Sequence, residues 1–246
     1  MLLQVEHISR SFGGVQAVAD VSFAVAAGER VAIIGPNGAG KSTCFNMLNG
    51  QLRPDSGHVL LDGRDVTAMP PAQKFRAGIG RTFQITATFA SLSVRENVQM
   101  ALYSHAGRLR SLLSRFGAAF RSEADQLLDQ VGMLDQAERA CGVLAYGDLK
   151  RVELAMALAN QPRLLLMDEP TAGMAPRERV ALMALTAGLA RARNIAVLFT
   201  EHDMDVVFGQ ADRVIVLDRG ALIAGGTPEE VRANAQVRAV YLGGTH

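Results

Sequence analysis

The segment Gly35-Pro36-Asn37-Gly38-Ala39-Gly40-Lys41-Ser42-Thr43 follows directly on the apolar run Val31-Ala32-Ile33-Ile34. A buried strand that runs into such a loop and then opens a helix predicts an α/β core. The loop leaves a row of unpaired backbone N–H groups facing one spot, and the positive end of the helix dipole faces it too. Together they make an anion hole sized for a phosphate chain. Gly35, Gly38 and Gly40 let the backbone curl close, and Lys41 reaches the β- and γ-phosphates. The Ser42 hydroxyl is a candidate ligand for Mg²⁺, and Pro36, Asn37, Ala39 and Thr43 complete the loop. Nucleoside triphosphate binding is the expectation.

The chain has 246 residues, enough for one sizeable domain, or a core with a subdomain, around a real hydrophobic core. Lys plus Arg number 25 against 24 Asp plus Glu, a formal charge of +1, so the balance gives no electrostatic case for nucleic acid. Cys44 and Cys141 have neither metal-ligand spacing nor a disulfide framework, which makes a reducing cytoplasm the default. Cys44 is expected to be a small buried residue. The start, Met-Leu-Leu-Gln-Val-Glu-His, carries acid and polar residues where a signal peptide needs an apolar core. No stretch approaches the roughly 18 apolar residues of a membrane span, so any membrane role is expected to run through a partner.

Short strands with turns are expected over the first 30 residues. Val5, Ile8 and the alternation Val21, Phe23, Val25 predict an antiparallel patch, interrupted at Gly13-Gly14 and Gly28-Glu29. The helix after the phosphate loop is expected from Lys41 to about Asn49, and a strand from His58 to Leu61. From about Ile85 to Asn160 helical periodicity takes over, which predicts an inserted helical subdomain. After Pro162 the pattern becomes a strand at Leu164 to Asp168, a helix at Pro176 to Arg193 and a strand at Ile195 to Thr200. Leu182, Leu185 and Leu189 share one face of that helix. A final strand pair, Arg213 to Asp218 and Ala221 to Gly226, turns at Arg219-Gly220. This alternation predicts a parallel sheet with helices on its faces.

Two further segments carry chemistry. The apolar strand Leu164 to Asp168 delivers a carboxylate to the sheet edge, where Asp168 can support Mg²⁺ through water. Glu169, next in line, can face the γ-phosphate and polarise an attacking water. The segment Leu144-Ala145-Tyr146-Gly147-Asp148 precedes a helix, which puts Gly147 at a second anion-binding helix start. One triphosphate does not need two such sites in one subunit, so a shared interface is expected.

In this order the motifs resemble the ATP-binding subunit of an ABC transporter, over essentially the whole chain. The elements are the phosphate loop, Gln84 in Arg81-Thr82-Phe83-Gln84, the signature loop at 144 to 148, Asp168-Glu169, and His202 in Thr200-Glu201-His202-Asp203. The resemblance implies a P-loop (RecA-like) ATPase core with an antiparallel β subdomain and an inserted α-helical subdomain. In these terms residues 1–246 form a single ABC ATPase domain, with its core at 1–84 and 161–246 and the helical subdomain at about 85–160. It also implies ATP and Mg²⁺ as cofactors. Glu169 is then the general base and His202 the contact to the γ-phosphate. Gln84 touches Mg²⁺ and water and senses the membrane partner. Phe12, in Ser11-Phe12-Gly13-Gly14, falls where the family places an aromatic against adenine. Tyr146 and Gly147 would serve the nucleotide of an opposing subunit.

The sequence departs from the family at two places. Ala145 stands where Ser is usual and Asp148 where Gln is usual, so a hydroxyl donor to the γ-phosphate is missing. The loss of one such hydrogen bond costs on the order of 1–3 kcal/mol. Ala172-Gly173-Met174-Ala175 also lacks the aspartate expected after the catalytic Glu. The Tyr-Gly signature loop, the Ala-Gly-Met run and the early Ser-Phe-Gly-Gly-Val are similar to the branched-chain amino acid uptake ATPases. That subgroup implies transmembrane permease subunits, a second ATP-binding subunit in a homo- or hetero-dimer, and a solute-binding protein acting indirectly. It also implies a peripheral place on the cytoplasmic face of the inner membrane.

The alternatives are the ATPase of a urea or amide importer, that of a lipopolysaccharide-type exporter, and a catalytically silent nucleotide switch. A soluble non-transport ABC ATPase is the distant one, since such proteins usually fuse two cassettes or carry long coiled coils. Finally, Arg108, Arg110, Arg115 and Arg121 interleave with Leu109, Leu112, Leu113, Phe116 and Phe120 at helical spacing. A basic amphipathic helix near the membrane or permease is one reading, and an ordinary helix with a solvated basic face is the other.

Overall fold

The computed structural model describes residues 1–82, 88–107 and 119–241. Two sheets organise it. The smaller is antiparallel, with strands β1 (Leu3–Phe12), β2 (Val15–Val25), β4 (Ser56–Leu61) and β5 (Arg64–Asp65) in the order β2-β1-β4-β5. Gly13 and Gly14, both at positive φ, make the tight turn between β1 and β2.

The larger sheet contains β3 (Arg30–Ile34), β6 (Ile79–Thr82), β7 (Leu164–Asp168), β8 (Ala196–Thr200), β9 (Arg213–Asp218) and β10 (Ala221–Gly226). Its order is β10-β9-β3-β8-β7-β6, parallel throughout except for the antiparallel edge strand β10. The central strands of this sheet are buried on both faces. On β3, Val31 and Ile33 join the core shared with the antiparallel sheet, while Ala32 and Ile34 join the core under the helices. Strands β7 and β8 split the same way, Leu164, Leu166, Ala196 and Leu198 to one core and Leu165, Met167, Val197 and Phe199 to the other. A strand that alternates between two dry faces needs apolar residues at every position, which explains the unbroken runs.

Helix α1 (Lys41–Leu48) follows β3, and α2 (Pro71–Arg76) leads into β6. Between β6 and β7 every described element is helical: α3 (Val94–His105), α4 (Arg121–Gln130), two short 3₁₀ turns and α5 (Tyr146–Leu158). Ser93 starts α3 with a full capping box, exchanging bonds with Glu96. Beyond β7 come α6 (Pro176–Arg193), α7 (Met204–Gln210), α8 (Pro228–Ala233) and α9 (Ala235–Tyr241). Helix α6 has the limits expected from its pattern, and Asn194 ends it in the left-handed region at φ 53°. Of the three leucines expected on one face Leu182 is buried, beside Met183, Ala187 and Ala190, and Leu185 and Leu189 pack partly exposed against the core.

Most of the basic stretch, 108–118, lies outside the described residues. Its far end is not one continuous helix: Phe120 is left-handed at φ 58°, and Arg121 opens α4. The Phe120 ring meets Tyr103 edge-on at 5.0 Å, and Arg121 pairs with Glu138 at 3.0 Å. Among the described residues no helix is long and apolar enough to cross a membrane.

Candidate active site

The loops that leave β3, β7 and β8 all emerge at the carboxyl edge of the parallel sheet, where ligands bind in open α/β folds. Residues 37–43 of the phosphate loop line a cleft of about 320 Å³ together with Ala17 and Glu169. Two glycines are fixed there by contact. A Cβ at Gly35 would stand 2.3 Å from the Leu217 carbonyl oxygen. At Gly40, where φ is +99°, it would stand 2.3 Å from that of Ala17. No side chain caps α1 at Gly40, so its first N–H groups remain directed at the cleft.

Lys41 is 7% exposed, and its Nζ donates to the carbonyls of Gly35 at 2.7 Å and Pro36 at 3.1 Å. Burial pulls its pKa below the ordinary value, against the opposing pull of the Glu169 and Asp168 carboxylates. The loop thus holds a cation with its countercharges at the end of β7, two strands from β3 in the sheet.

Asp168 ends β7 and is 4% exposed. Its Oδ1 accepts from the Thr200 hydroxyl at 2.7 Å, and Oδ2 lies 3.5 Å from the Arg81 guanidinium. Glu169 follows at φ +47°, a conformation rare outside glycine, with its N–H on Thr200 Oγ1 at 3.0 Å. This backbone turn swings the Glu169 side chain over the phosphate loop. His202 Nε2 stands 2.8 Å from Glu169 Oε1. A carboxylate oxygen accepts in this contact and Nε2–H donates to it.

Two ties, neither apparent from the motifs, hold these loops. Glu201, 4% exposed, accepts from the backbone and hydroxyl of Thr171 at 3.0 and 2.6 Å. Arg179 on α6 donates through Nε to the Met174 carbonyl at 2.7 Å and through Nη1 to Asp203 at 3.1 Å. Asp203 in turn caps α7. The segments after β7 and β8 are thereby clamped at both ends. Glu201 and Asp203 flank His202 in sequence, which is the only sequence signal for them; nothing marked Arg179.

The remaining expected residues lie elsewhere. Gln84 is outside the described residues. Phe12 stands 44% exposed at the end of β1, with the Arg10 guanidinium 5.0 Å from its ring centroid, and it does not line the phosphate-loop cleft. No residue of 144–148 lines that cleft either. Tyr146 is 40% exposed, and Gly147 lies beside the Glu178 carboxylate at the start of α6. A larger hollow, about 520 Å³, opens on the antiparallel sheet around Arg53, His58, Asp65 and Gln73, away from all the expected residues. Both cysteines are buried, Cys44 with its thiol pushed up to about 12 and Cys141 to about 11, so neither is a reactive nucleophile.

Ala145 and Ala175 precede α5 and α6 in extended conformation, and neither has a side-chain acceptor to offer. At Ala175 only the reverse bond exists, from its N–H to Glu178 at 3.4 Å. Ala145→Ser supplies the missing cap of α5, worth about 1 kcal/mol. In a chain of this size the melting temperature should rise by about 2–4 °C. An unchanged or lower melting temperature would mean that the first turn of α5 is satisfied by other means.

Comparison with known proteins bears on the same elements. Residues 18–172 match the ABC transporter family, and residues 221–246 match a branched-chain amino acid ATP-binding cassette transporter family. The high-affinity branched-chain amino acid transport ATP-binding protein BraF of Pseudomonas aeruginosa is 38% identical, over 98% of both chains. The lipopolysaccharide export system ATP-binding protein LptB of Acidithiobacillus ferridurans is 37% identical, over 98% of this chain and 97% of its own. A crystal structure of the ADP conformation of an ATP-binding cassette of an ABC transporter superposes with a TM-score of 0.88 at 31% identity, covering 98% of each chain.

Proposed function

This chain belongs to the ABC transporter family and is an ATP-hydrolysing transport subunit; from that premise we propose that it energises the uptake of branched-chain amino acids. The 38% identity to BraF supports that solute, together with the match of residues 221–246 to the branched-chain family. The C-terminal match favours it over lipopolysaccharide export, for which overall identity is nearly as high.

The hydrolytic reading is carried by one observation, the Glu169 carboxylate beside the phosphate loop with His202 Nε2 at 2.8 Å. ATP lies with its phosphates on the Gly35–Thr43 loop, and Lys41 exchanges its carbonyl partners for the β- and γ-phosphate oxygens. Glu169 takes a proton from a water as its oxygen attacks the γ-phosphorus, and ADP departs. His202 steadies Glu169 and lies within reach of the γ-phosphate. Phe12 supplies a stacking face for adenine.

Ser42, Gln84 and Asp168 make an oxygen-only donor set, which fits Mg²⁺. When bound, the ion draws charge from the β- and γ-phosphates. The parting of Tyr146 and Gly147 from the cleft supports a composite site, in which a second ATP-binding subunit offers its signature loop to this chain's nucleotide. The pair would sit on transmembrane permease subunits at the cytoplasmic face of the inner membrane, with a solute-binding protein delivering cargo from outside. In this arrangement a core at 1–84 and 161–246 would carry the nucleotide, and the helices at about 85–160 would face the permease.

The test is ATPase activity of the complex, purified with its own membrane subunits and reconstituted in proteoliposomes. Leucine with its binding protein should stimulate turnover and drive leucine uptake. Stimulation by urea or lipopolysaccharide instead, with leucine inert, would reject the assigned solute.

A further inference from the structure

Arg81 belongs to no expected motif role, yet it is among the most enclosed cations near the site. It lies on β6 opposite Leu166 of β7, and its side chain is 16% exposed. Nη1 donates to Gln51 Oε1 at 2.6 Å and to Asn46 Oδ1 at 3.1 Å, which ties it to the far end of α1. Nη2 stands 3.5 Å from Asp168 Oδ2. The Nε atom is buried without a partner among the described residues. Asn46 and Gln51 therefore hold the guanidinium in place, and Asp168 faces it across a gap longer than a good hydrogen bond.

This geometry sets up a competition. Thr200 occupies Asp168 Oδ1, so the oxygen facing Arg81 is the one left to support a metal's water shell. We propose that Arg81 is a positioning residue that shares Asp168 with Mg²⁺ and thereby sets the Mg²⁺ concentration at which the site takes up its nucleotide. A fixed positive charge this close to the carboxylate weakens the field felt by a divalent cation, and enclosure keeps salt from screening it. Lys41 cannot take this role, because its ammonium is committed to the phosphate loop.

The proposal rests on the assignment of Asp168 to the metal. The experiment measures binding of a fluorescent ATP analogue to the full chain as free Mg²⁺ is varied, with an EDTA control. Arg81→Gln keeps a polar reach toward Gln51 and removes the charge. It should lower the half-saturating Mg²⁺ concentration by about threefold to tenfold, with binding in EDTA little changed. Asn46→Asp, which leaves β6 untouched and draws the guanidinium toward a new carboxylate, should shift it in the same direction. Arg81→Lys, which keeps the charge, should stay within about twofold of the native chain. An unchanged or raised Mg²⁺ requirement in both Arg81→Gln and Asn46→Asp would overturn the proposal. Nucleotide binding by the native chain that ignores Mg²⁺ altogether would overturn instead the assignment of Asp168 beneath it.

Discussion

Replacing Glu169 with Gln is expected to lower kcat for ATP hydrolysis by about 10²–10⁴-fold, the usual worth of a positioned general base. ATP affinity should change little. The amide keeps the size of the carboxylate and can still bond His202 through its oxygen, so the loop that starts at φ +47° retains its shape. What it loses is the ability to accept a proton from water. Steady-state turnover of the assembled complex, alongside equilibrium ATP binding, separates the two effects. A loss of kcat with unaltered binding identifies an interaction made only on the way to the transition state. Turnover equal to that of the native chain would remove Glu169 from the chemistry and leave the second carboxylate, Asp168, to be reconsidered.

Lys41→Met should have the opposite signature. Nucleotide binding is expected to weaken by about 10²–10⁴-fold, since two charge-assisted bonds to phosphate are lost at about 1.5–3 kcal/mol each. The fold should not suffer. Burying the ammonium lowers its pKa, so the folded state opposes the charge it carries. A Lys whose folded pKa lies below its ordinary 10.5 opposes folding while it is protonated. That opposition fades as pH rises from the folded pKa toward 10.5, because the unfolded chain then binds more protons. In Lys41→Met the alkaline rise in stability should disappear, and the melting temperature at neutral pH should equal or exceed that of the native chain. Titration of a fluorescent nucleotide and thermal melts across pH provide the readout. Affinity retained within about threefold, under 1 kcal/mol, would show that the loop backbone alone binds phosphate.

The parts of the fold that were legible are those whose physics is local. An unbroken apolar run such as Leu164 to Asp168 declares a strand buried on two faces, and the glycine-rich loop declares a sharp turn against neighbouring backbone. Helix α6 was legible from Pro176 to Arg193 through leucines at helical spacing. Strand β6 was not legible, because Ile79-Gly80-Arg81-Thr82 has neither an apolar run nor a clean alternation. Only its parallel pairing with β7 makes it a strand. Helix α2 is a single short turn-and-a-half behind two prolines, too brief for periodicity to register. Sheet order, with β3 between β8 and β9, depends on contacts far apart in the chain and is invisible to local pattern.

The site divides along the same line. The places of Lys41, Asp168, Glu169 and His202 were legible because each sits at the end of a recognisable strand or loop. Arg81 and Arg179 were not, since their meaning lies in partners on other elements: Asp168 and Gln51 for one, Met174 and Asp203 for the other. Phe12 shows the limit from the other side. Its place in a motif was readable, but its orientation on an exposed strand end was not.

The most direct test of the account is the composition of the species that traps ATP. The phosphate loop with Glu169 forms one wall of the site, and no residue of 144–148 reaches it. The complex carrying Glu169→Gln, incubated with ATP and Mg²⁺ and examined by native mass spectrometry, should retain ATP only in particles with two ATP-binding subunits. An aspartate in place of the signature-loop glycine of the opposing subunit, which is Gly147 when that subunit is a second copy of this chain, should release it. ATP held just as firmly by this chain alone, untouched by that substitution, would contradict the shared site.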